Sequence, residues 1–329
     1  MSYIDDVINK YEIYENYDLC PTNFENVDFQ LELSNVCNHA CLFCPHSKMN
    51  RKKHNMDEKL AFRLIEEAGA LGIKKMSLNM NNEPFATKDL HKYIRKAKES
   101  DIEYVYFNTN GALATPDKLK ACFDAGLDSL KFSINAGSRE TYKMLHGRDD
   151  FDIVIENLKF AHKYCKENYP NARVISSFIV TKYTKNEMNT HYDNIKEYVD
   201  DFAFFYAQTF MGNMVDEIKE LRVEFETELP RTEQYVVTAP CNLLWTSINV
   251  SCEGYLALCC TDVDNNLVIE DLNVKSIKEA WHSERMQEMR RRHLNNDLQG
   301  MLCQRCIKND SMEKYQPLDR TLYEASLKN

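Results

Sequence analysis

Between residues 27 and 210 the apolar positions follow two alternating periods. FQLEL (29–33) alternates apolar and polar residues, as a strand with one buried face does. DEKLAFRLIEEAGALG (57–72) instead sets Leu60, Leu64, Ala68 and Leu71 four and three apart, opens on acidic residues and stops at Gly72. That pattern predicts an amphipathic helix with matched start and end signals. The alternation continues with strands over 74–80, 102–108, 129–134, 173–180 and 202–210, and helices over 89–100, 115–126, 151–167 and 187–199. The third of these five helices has Thr115 as N-cap, Pro116 in its first turn and Gly126 at its end. Six β/α units imply a parallel sheet with right-handed crossovers. They are too few to close the eight-stranded barrel, so the expected fold class is α/β, a partial (β/α)6 TIM-like barrel. Its site belongs at the carboxyl ends of the strands.

The pattern lapses on both sides of this region. Residues 1–26 form an N-terminal extension, and 211–238 are charged and weakly patterned, which predicts a connector. From 239 to 309 the segments are short, six cysteines appear, and one amphipathic helix is expected over 276–292. This predicts a small metal-dependent domain, followed by a peripheral tail over 310–329.

An apolar fraction of 43% is ordinary for a globular chain and excludes wholesale disorder. The net charge of −10 argues against a surface that coats nucleic acid. No run approaches eighteen apolar residues, so no membrane partner is expected. The acidic start MSYIDDVINKYEIYENYD is not a secretory signal, so a cytoplasmic protein is expected. In a reducing compartment, twelve cysteines point to metal rather than to disulfides.

Cys37, Cys41 and Cys44 are spaced C-x3-C-x2-C directly after the first strand. Three thiolates so placed can hold three corners of a [4Fe–4S] cluster and leave one iron open to an outside chelator. The competing assignment is zinc with His39 or His46 as fourth ligand, but neither has zinc-finger spacing. With Phe43 before the third cysteine, the motif resembles the signature of the radical S-adenosylmethionine (radical SAM) enzymes. Asn82, Glu83 and Pro84, at the end of the second strand, are similar to the family's "GEP" segment, which binds the methionine amino group. Asn82 departs from the usual glycine. Thr109, Asn110 and Gly111 resemble the turn after the third strand. Ser133 matches a ribose contact, and Asn135 stands where aspartate is commoner. The resemblance places Phe43 beside the adenine. It implies a cluster that cleaves SAM to a 5′-deoxyadenosyl radical, which takes a hydrogen atom from the substrate.

Cys303 and Cys306 form a C-x2-C pair, and Gly254-x4-Cys259 follows Cys241. This resembles the auxiliary-cluster domains of the same family, the SPASM domain and its shorter twitch form. The twitch resemblance implies a second [4Fe–4S] cluster on Cys241, Cys259, Cys303 and Cys306, similar to enzymes of the 2-deoxy-scyllo-inosamine dehydrogenase type. A zinc ribbon is the alternative, though the gap from Cys241 to Cys259 is wide for one. Cys252 and Cys260 are left over, as packing residues or as hydrogen-atom donors to a substrate radical. The RRRH run (290–293) fits a cationic helix end facing the helix dipole.

A fully ligated auxiliary cluster suits electron transfer. The leading expectation is therefore oxidation or epimerisation of a small polar substrate: a sugar, aminocyclitol or nucleotide sugar. A peptide or protein maturase is the alternative, disfavoured because few residues precede the first strand. A non-enzymatic iron–sulfur or zinc-binding protein is a remote third. His146, Arg148, Tyr206 and Gln208 are candidate bases. The resemblance also implies a flavodoxin or ferredoxin as electron donor and an oxygen-poor setting.

Overall fold

The computed structural model describes residues 17–207, 210, 214–223, 240–308 and 318–328. Strands β1 (Asp28–Leu31), β2 (Lys75–Ser77), β3 (Tyr104–Thr109), β4 (Ser129–Ser133), β5 (Arg173–Val180) and β6 (Asp201–Tyr206) are parallel and adjacent in chain order. Between them run α1 (Glu58–Ala70), α2 (His91–Glu99), α3 (Pro116–Asp124), α4 (Arg139–His146), α5 (Phe151–Asn168) and α6 (Met188–Ile195). Asp57 caps α1 by accepting the Leu60 N–H. Helix α4 is an addition to the expected set. Its signals are short but complete: Ser138 accepts the Thr141 N–H, and Gly147 ends the helix at φ 67°.

Strand β6 ends at Tyr206, short of the expected Phe210. Helix α7 (Val215–Leu221) lies in the segment expected to be a plain connector. With Met214, its Ile218 and Leu221 bury against Phe43 and Leu145 and help cover Cys41 and Cys44.

Register shows how the two faces of the sheet differ. Phe29, Leu31, Met76, Val105, Phe107, Leu130 and Phe132 are buried in the core shared with the helices. The opposite face carries Gln30, Ser77 and Tyr106 side by side, then Asn108 beside Lys131 and Ser133 beside Ser177. The inner wall is therefore polar over β1–β4, and Ile175 and Ile179 add apolar positions on β5.

The C-terminal domain continues this sheet across the expected boundary at residue 239. After α8 (Leu243–Thr246), β7 (Ser247–Val250) pairs parallel with β1, and β8 (Tyr255–Ala257) and β9 (Val268–Asp271) follow antiparallel. The whole sheet has nine strands in the order β6-β5-β4-β3-β2-β1-β7-β8-β9. The single helix expected over 276–292 is two, α9 (Ile277–Trp281) and α10 (Glu284–Leu294). Ser276 forms a capping box with Glu279, and Ser283 caps Met286, so a second start signal interrupts the run. Helix α11 (Leu302–Lys308) follows, and α12 (Arg320–Lys328) docks rather than trailing: Asp319 meets Arg285 at 2.8 Å. The described part of the N-terminal extension also straps this domain. The carbonyls of Asp18, Leu19 and Pro21 accept from Trp245, Arg290 and Trp281.

Arg51 joins the two domains. It is 4% exposed, and its guanidinium donates to both oxygens of Glu32 at 2.9 Å, to Glu253 at 2.7 Å and to the Val263 carbonyl at 2.8 Å. Burial pushes the Glu32 carboxyl up. The Arg51 charge and hydrogen bonds, with the Cys252 and Asn81 N–H groups, outweigh burial and hold it below the usual carboxylate range. Replacing Arg51 by Leu would leave two buried carboxylates without their cation. The expected loss is about 3–5 kcal/mol in urea unfolding. Because the folded Glu32 pKa lies below the unfolded one, its contribution is full above the ordinary carboxylate range and fades as pH falls through the folded value. The stability gap between parent and variant should therefore narrow in acid. A gap independent of pH would sink this account.

Candidate active site and auxiliary metal centre

Two groups of thiols lie at opposite ends of the β1–β7 pair. Cys37 follows the carboxyl end of β1. Cys241 precedes β7, while β8 runs back antiparallel to deliver Cys259 to the same amino end. Asp28 pairs with Ser247 at one end and Leu31 with Val250 at the other, so roughly 10 Å of strand lies between them.

The first loop is closed at its base and braced from behind. Asn35 donates to the Lys52 carbonyl at 2.7 Å and accepts the His54 N–H at 2.7 Å. Inside the loop, Ala40 and Leu42 donate their N–H groups to His146 and Leu145 at the end of α4. Gly147 is required here, since a Cβ would sit 3.2 Å from the Ala40 carbonyl in a left-handed conformation. Burial pushes the Cys37 thiol up to about 11 and raises Cys41 and Cys44 as well. A metal that replaces their protons removes that penalty. The His39 N–H at 3.5 Å and the Asn110 side-chain amide at 3.9 Å from the Cys37 sulfur are donors suited to a thiolate. The donor set thus fits a three-cysteine cluster.

His39, Cys41 and His146 come within 4.8 Å of one another, the arrangement a zinc ion could use. His146 Nδ1 does face the Cys41 sulfur at 3.4 Å, but both histidines also have partners outside the cysteine loop. His39 Nε2 meets Asp150 at 3.1 Å, and its Nδ1 faces His146 at 3.3 Å. His146 Nε2 donates to the Ile134 carbonyl at 2.9 Å, and burial pushes its pKa down to about 3. His46 turns its Nε2 to the Asn35 carbonyl at 2.9 Å.

The strand ends converge on this loop. Glu83 is buried and accepts from the Thr109 hydroxyl, the Asn110 N–H and the Phe85 N–H. Its own N–H donates to Val36 at 2.9 Å. Burial raises the Glu83 pKa, while these donors pull it back. Pro84 opens a 3-10 turn, and Asn82 bonds Met80 N–H within its own loop. Ser133 accepts the Ser177 hydroxyl at 3.2 Å. Asn135 sits at φ 56°, accepts the Ile179 N–H and faces His146, which gives this position a structural reason for a short polar side chain. Phe43 packs edge-on against His146 at 5.7 Å.

At the other end, Cys241, Cys259, Cys303 and Cys306 line one small cavity of about 30 Å³, together with His293 and apolar side chains. Cys303 and Cys306 lie one turn apart on α11. Burial raises Cys241 to about 12 and Cys306 to about 11. A hydrogen bond from Cys260, helped by Thr261, holds Cys259 below the usual thiol range. Four thiols on one largely apolar cavity fit a fully ligated cluster.

Neither spare cysteine lines that cavity. Cys252 is buried, 4.0 Å from the Arg51 guanidinium, with its N–H on Glu32. Cys260 lies beside Cys259 and in the field of Asp28, and is only partly buried.

Several other expected residues are placed differently. Buried His146 braces the cysteine loop. Arg148 is exposed near Asp150, and Tyr206 takes the register of Val180, off the polar face. Gln208 lies outside the described residues. Within RRRH, Arg290 does not face solvent as a dipole-complementing cation. It is fully buried, stacks on Trp281 at 4.2 Å and donates to the Leu244 and Trp281 carbonyls. Sequence reading missed Arg51 and His293, whose partners are distant in the chain.

Comparison with known proteins agrees with this geometry. Residues 31–195 match the family model for the Radical SAM superfamily, and residues 241–307 match SPASM, an iron–sulfur cluster-binding domain. An uncharacterised protein of Methanocaldococcus jannaschii is 27% identical over 56% of this chain and 58% of its own length. A probable GTP 3′,8-cyclase of Saccharolobus solfataricus is 33% identical over 41% of the chain and 43% of its own length. The chain thus spans about half the length of these relatives. Among solved structures, BtrN in complex with AdoMet and 2-DOIA superposes with a TM-score of 0.57 at 16% identity, covering 89% of this chain and 96% of BtrN. SuiB of Streptococcus suis bound to precursor peptide SuiA gives 0.65 at 15% identity, covering 89% and 75%. anSMEcpe with bound AdoMet gives 0.60 at 14% identity, covering 92% of each chain. With the cysteine loop at the strand ends and the four-thiol cavity at 241–306, the chain belongs to the radical SAM superfamily and carries a SPASM iron–sulfur domain.

Proposed function

We propose that the chain oxidises or epimerises a small polar molecule, a sugar, aminocyclitol or nucleotide sugar, held against the inner face of the sheet. The observation that carries this reading is the chemistry of that face. Gln30, Ser77, Tyr106, Asn108, Lys131, Ser133 and Ser177 offer hydroxyls, amides and one cation, with Ile175 and Ile179 beside them, whereas the outer face is mostly apolar. Such a wall suits a hydroxyl-rich substrate, since each buried substrate hydroxyl needs a partner.

Cys37, Cys41 and Cys44 would hold the cluster that binds SAM, with Glu83 fixing the turn at Thr109–Asn110 and Phe43 screening the loop. That cluster with SAM supplies a 5′-deoxyadenosyl radical, and a cluster on Cys241, Cys259, Cys303 and Cys306 supplies a one-electron acceptor. Oxidation of an alcohol carbon removes one hydrogen atom, one electron and the hydroxyl proton. Epimerisation instead returns a hydrogen atom from a thiol. Of the two spare cysteines, Cys260 is the better donor, because it is partly exposed near Asp28 while Arg51 encloses Cys252. A flavodoxin or ferredoxin would supply the electron that starts the cycle. Among the described residues no helix is long and apolar enough to cross a membrane.

A second reading, modification of a peptide, is favoured by the superposition on SuiB bound to precursor peptide SuiA. Substrates labelled with deuterium at carbon separate the two. Deuterium should appear in 5′-deoxyadenosine from a sugar or aminocyclitol; transfer from peptides alone would overturn the small-molecule reading. If the product is an epimer, Cys260→Ala should abolish it while Cys252→Ala retains it. Should both variants epimerise as the parent does, neither Cys252 nor Cys260 is the donor and another group returns the hydrogen atom. Metal analysis tests the ligand sets directly. Anaerobically reconstituted protein should hold about eight irons, and the variant with Cys37, Cys41 and Cys44 replaced by Ala about four. One zinc surviving in that variant would remove the auxiliary electron acceptor.

A further inference from the structure

The four-cysteine cavity contains one polar group that ligation by thiols leaves unexplained. His293 lies in the last turn of α10, is 1% exposed, and lines the cavity with Cys241, Cys259, Cys303 and Cys306. Its Nδ1 accepts the backbone N–H of Cys241 at 3.4 Å. A ring nitrogen that accepts carries no proton, so the neutral imidazole holds its proton on Nε2. That nitrogen is buried and has no hydrogen-bond partner among the described residues. A buried N–H without an acceptor costs about 1–3 kcal/mol, and folded proteins seldom tolerate one. The remaining wall is leucine and isoleucine, which cannot accept.

We propose that His293 donates a hydrogen bond from Nε2 to a sulfur of the auxiliary cluster and raises its reduction potential. The inference rests on the assignment of Cys241, Cys259, Cys303 and Cys306 as cluster ligands. Each electron added to a cluster increases the negative charge on its sulfurs, and an N–H donor stabilises the more charged form more strongly. Four thiolates already complete the coordination of four irons, so His293 has no ligand position to fill. Its contact with Cys241 also fixes which end of the ring turns away from the backbone, making the donor pre-oriented. The consequence for function is a better electron acceptor at the amino end of β7.

The test uses the full chain with Cys37, Cys41 and Cys44 replaced by Ala, so that the auxiliary cluster is the one read. Iron and sulfide content and the midpoint potential are measured for this parent and for His293→Leu and His293→Gln added to it. All three should keep about four irons. The Leu variant should become harder to reduce by about tenfold in the equilibrium constant, about 59 mV for one electron. Gln, which keeps an N–H donor, should recover part of that shift. An exchangeable proton coupled to the reduced cluster should be seen in the parent by electron–nuclear double resonance and be lost in the Leu variant. An unchanged potential in a fully loaded Leu variant would overturn the proposal, as would iron loss from both variants, which would make His293 a ligand or an architectural residue. Zinc or no iron in the parent would overturn the ligand assignment itself, and the donor role with it, before His293 is varied.

Discussion

A single buried guanidinium holds the two halves of this molecule in register. Arg51 comes from the loop that carries the first three cysteines, Glu32 from the end of β1, and Glu253 from the turn after β7. Asn50 reinforces the junction by donating twice to Asp264, at 2.7 and 3.0 Å. A buried ion pair adds little net stability over a well-packed apolar core, but its geometry is exacting, because losing one partner strands the others. Here that exactness is applied where the cysteine loop, the first strand and the SPASM domain meet.

The consequence is a rigid spatial relation between the two sets of thiols. Because β7 pairs directly with β1, the SPASM domain is built onto the barrel sheet rather than hung from a linker. One set of cysteines lies at the carboxyl end of this strand pair and the other at its amino end. Between them runs the polar inner face. A shared sheet fixes their separation more firmly than a docked domain would. The strap at residues 18–21 and the docked helix α12 close the same domain from outside.

Local patterning accounts for most of the secondary structure. The period-two and period-3.6 segments became β1–β6 and their helices, with ends off by a few residues; Thr115 sits at the expected cap position, and Asp57, read as the first helical residue, is the cap of α1. Helix α4 escaped because it is only eight residues long, although Ser138 and Gly147 marked its ends. The break between α9 and α10 escaped because the apolar spacing continues across it while the caps at Ser276 and Ser283 do not.

The cysteine spacings and the order of the motif residues along the chain are properties of the string itself, so the sequence alone pointed to the family and to iron–sulfur chemistry as the assignment for both thiol sets. Those signals are local: a few residues apart, or in fixed order behind successive strands. What required the tertiary structure was every partnership formed across the chain. Arg51 meets Glu253 from 202 positions away, His293 meets Cys241 from 52, and Arg290 meets the Leu19 carbonyl from 271. In the string, Arg290 and His293 read as a basic helix end. Packing buried the arginine on Trp281 and set the histidine on the wall of the cysteine cavity. Burial and pairing decide what a charged or ring side chain does, and both are set by which segments the sheet brings together.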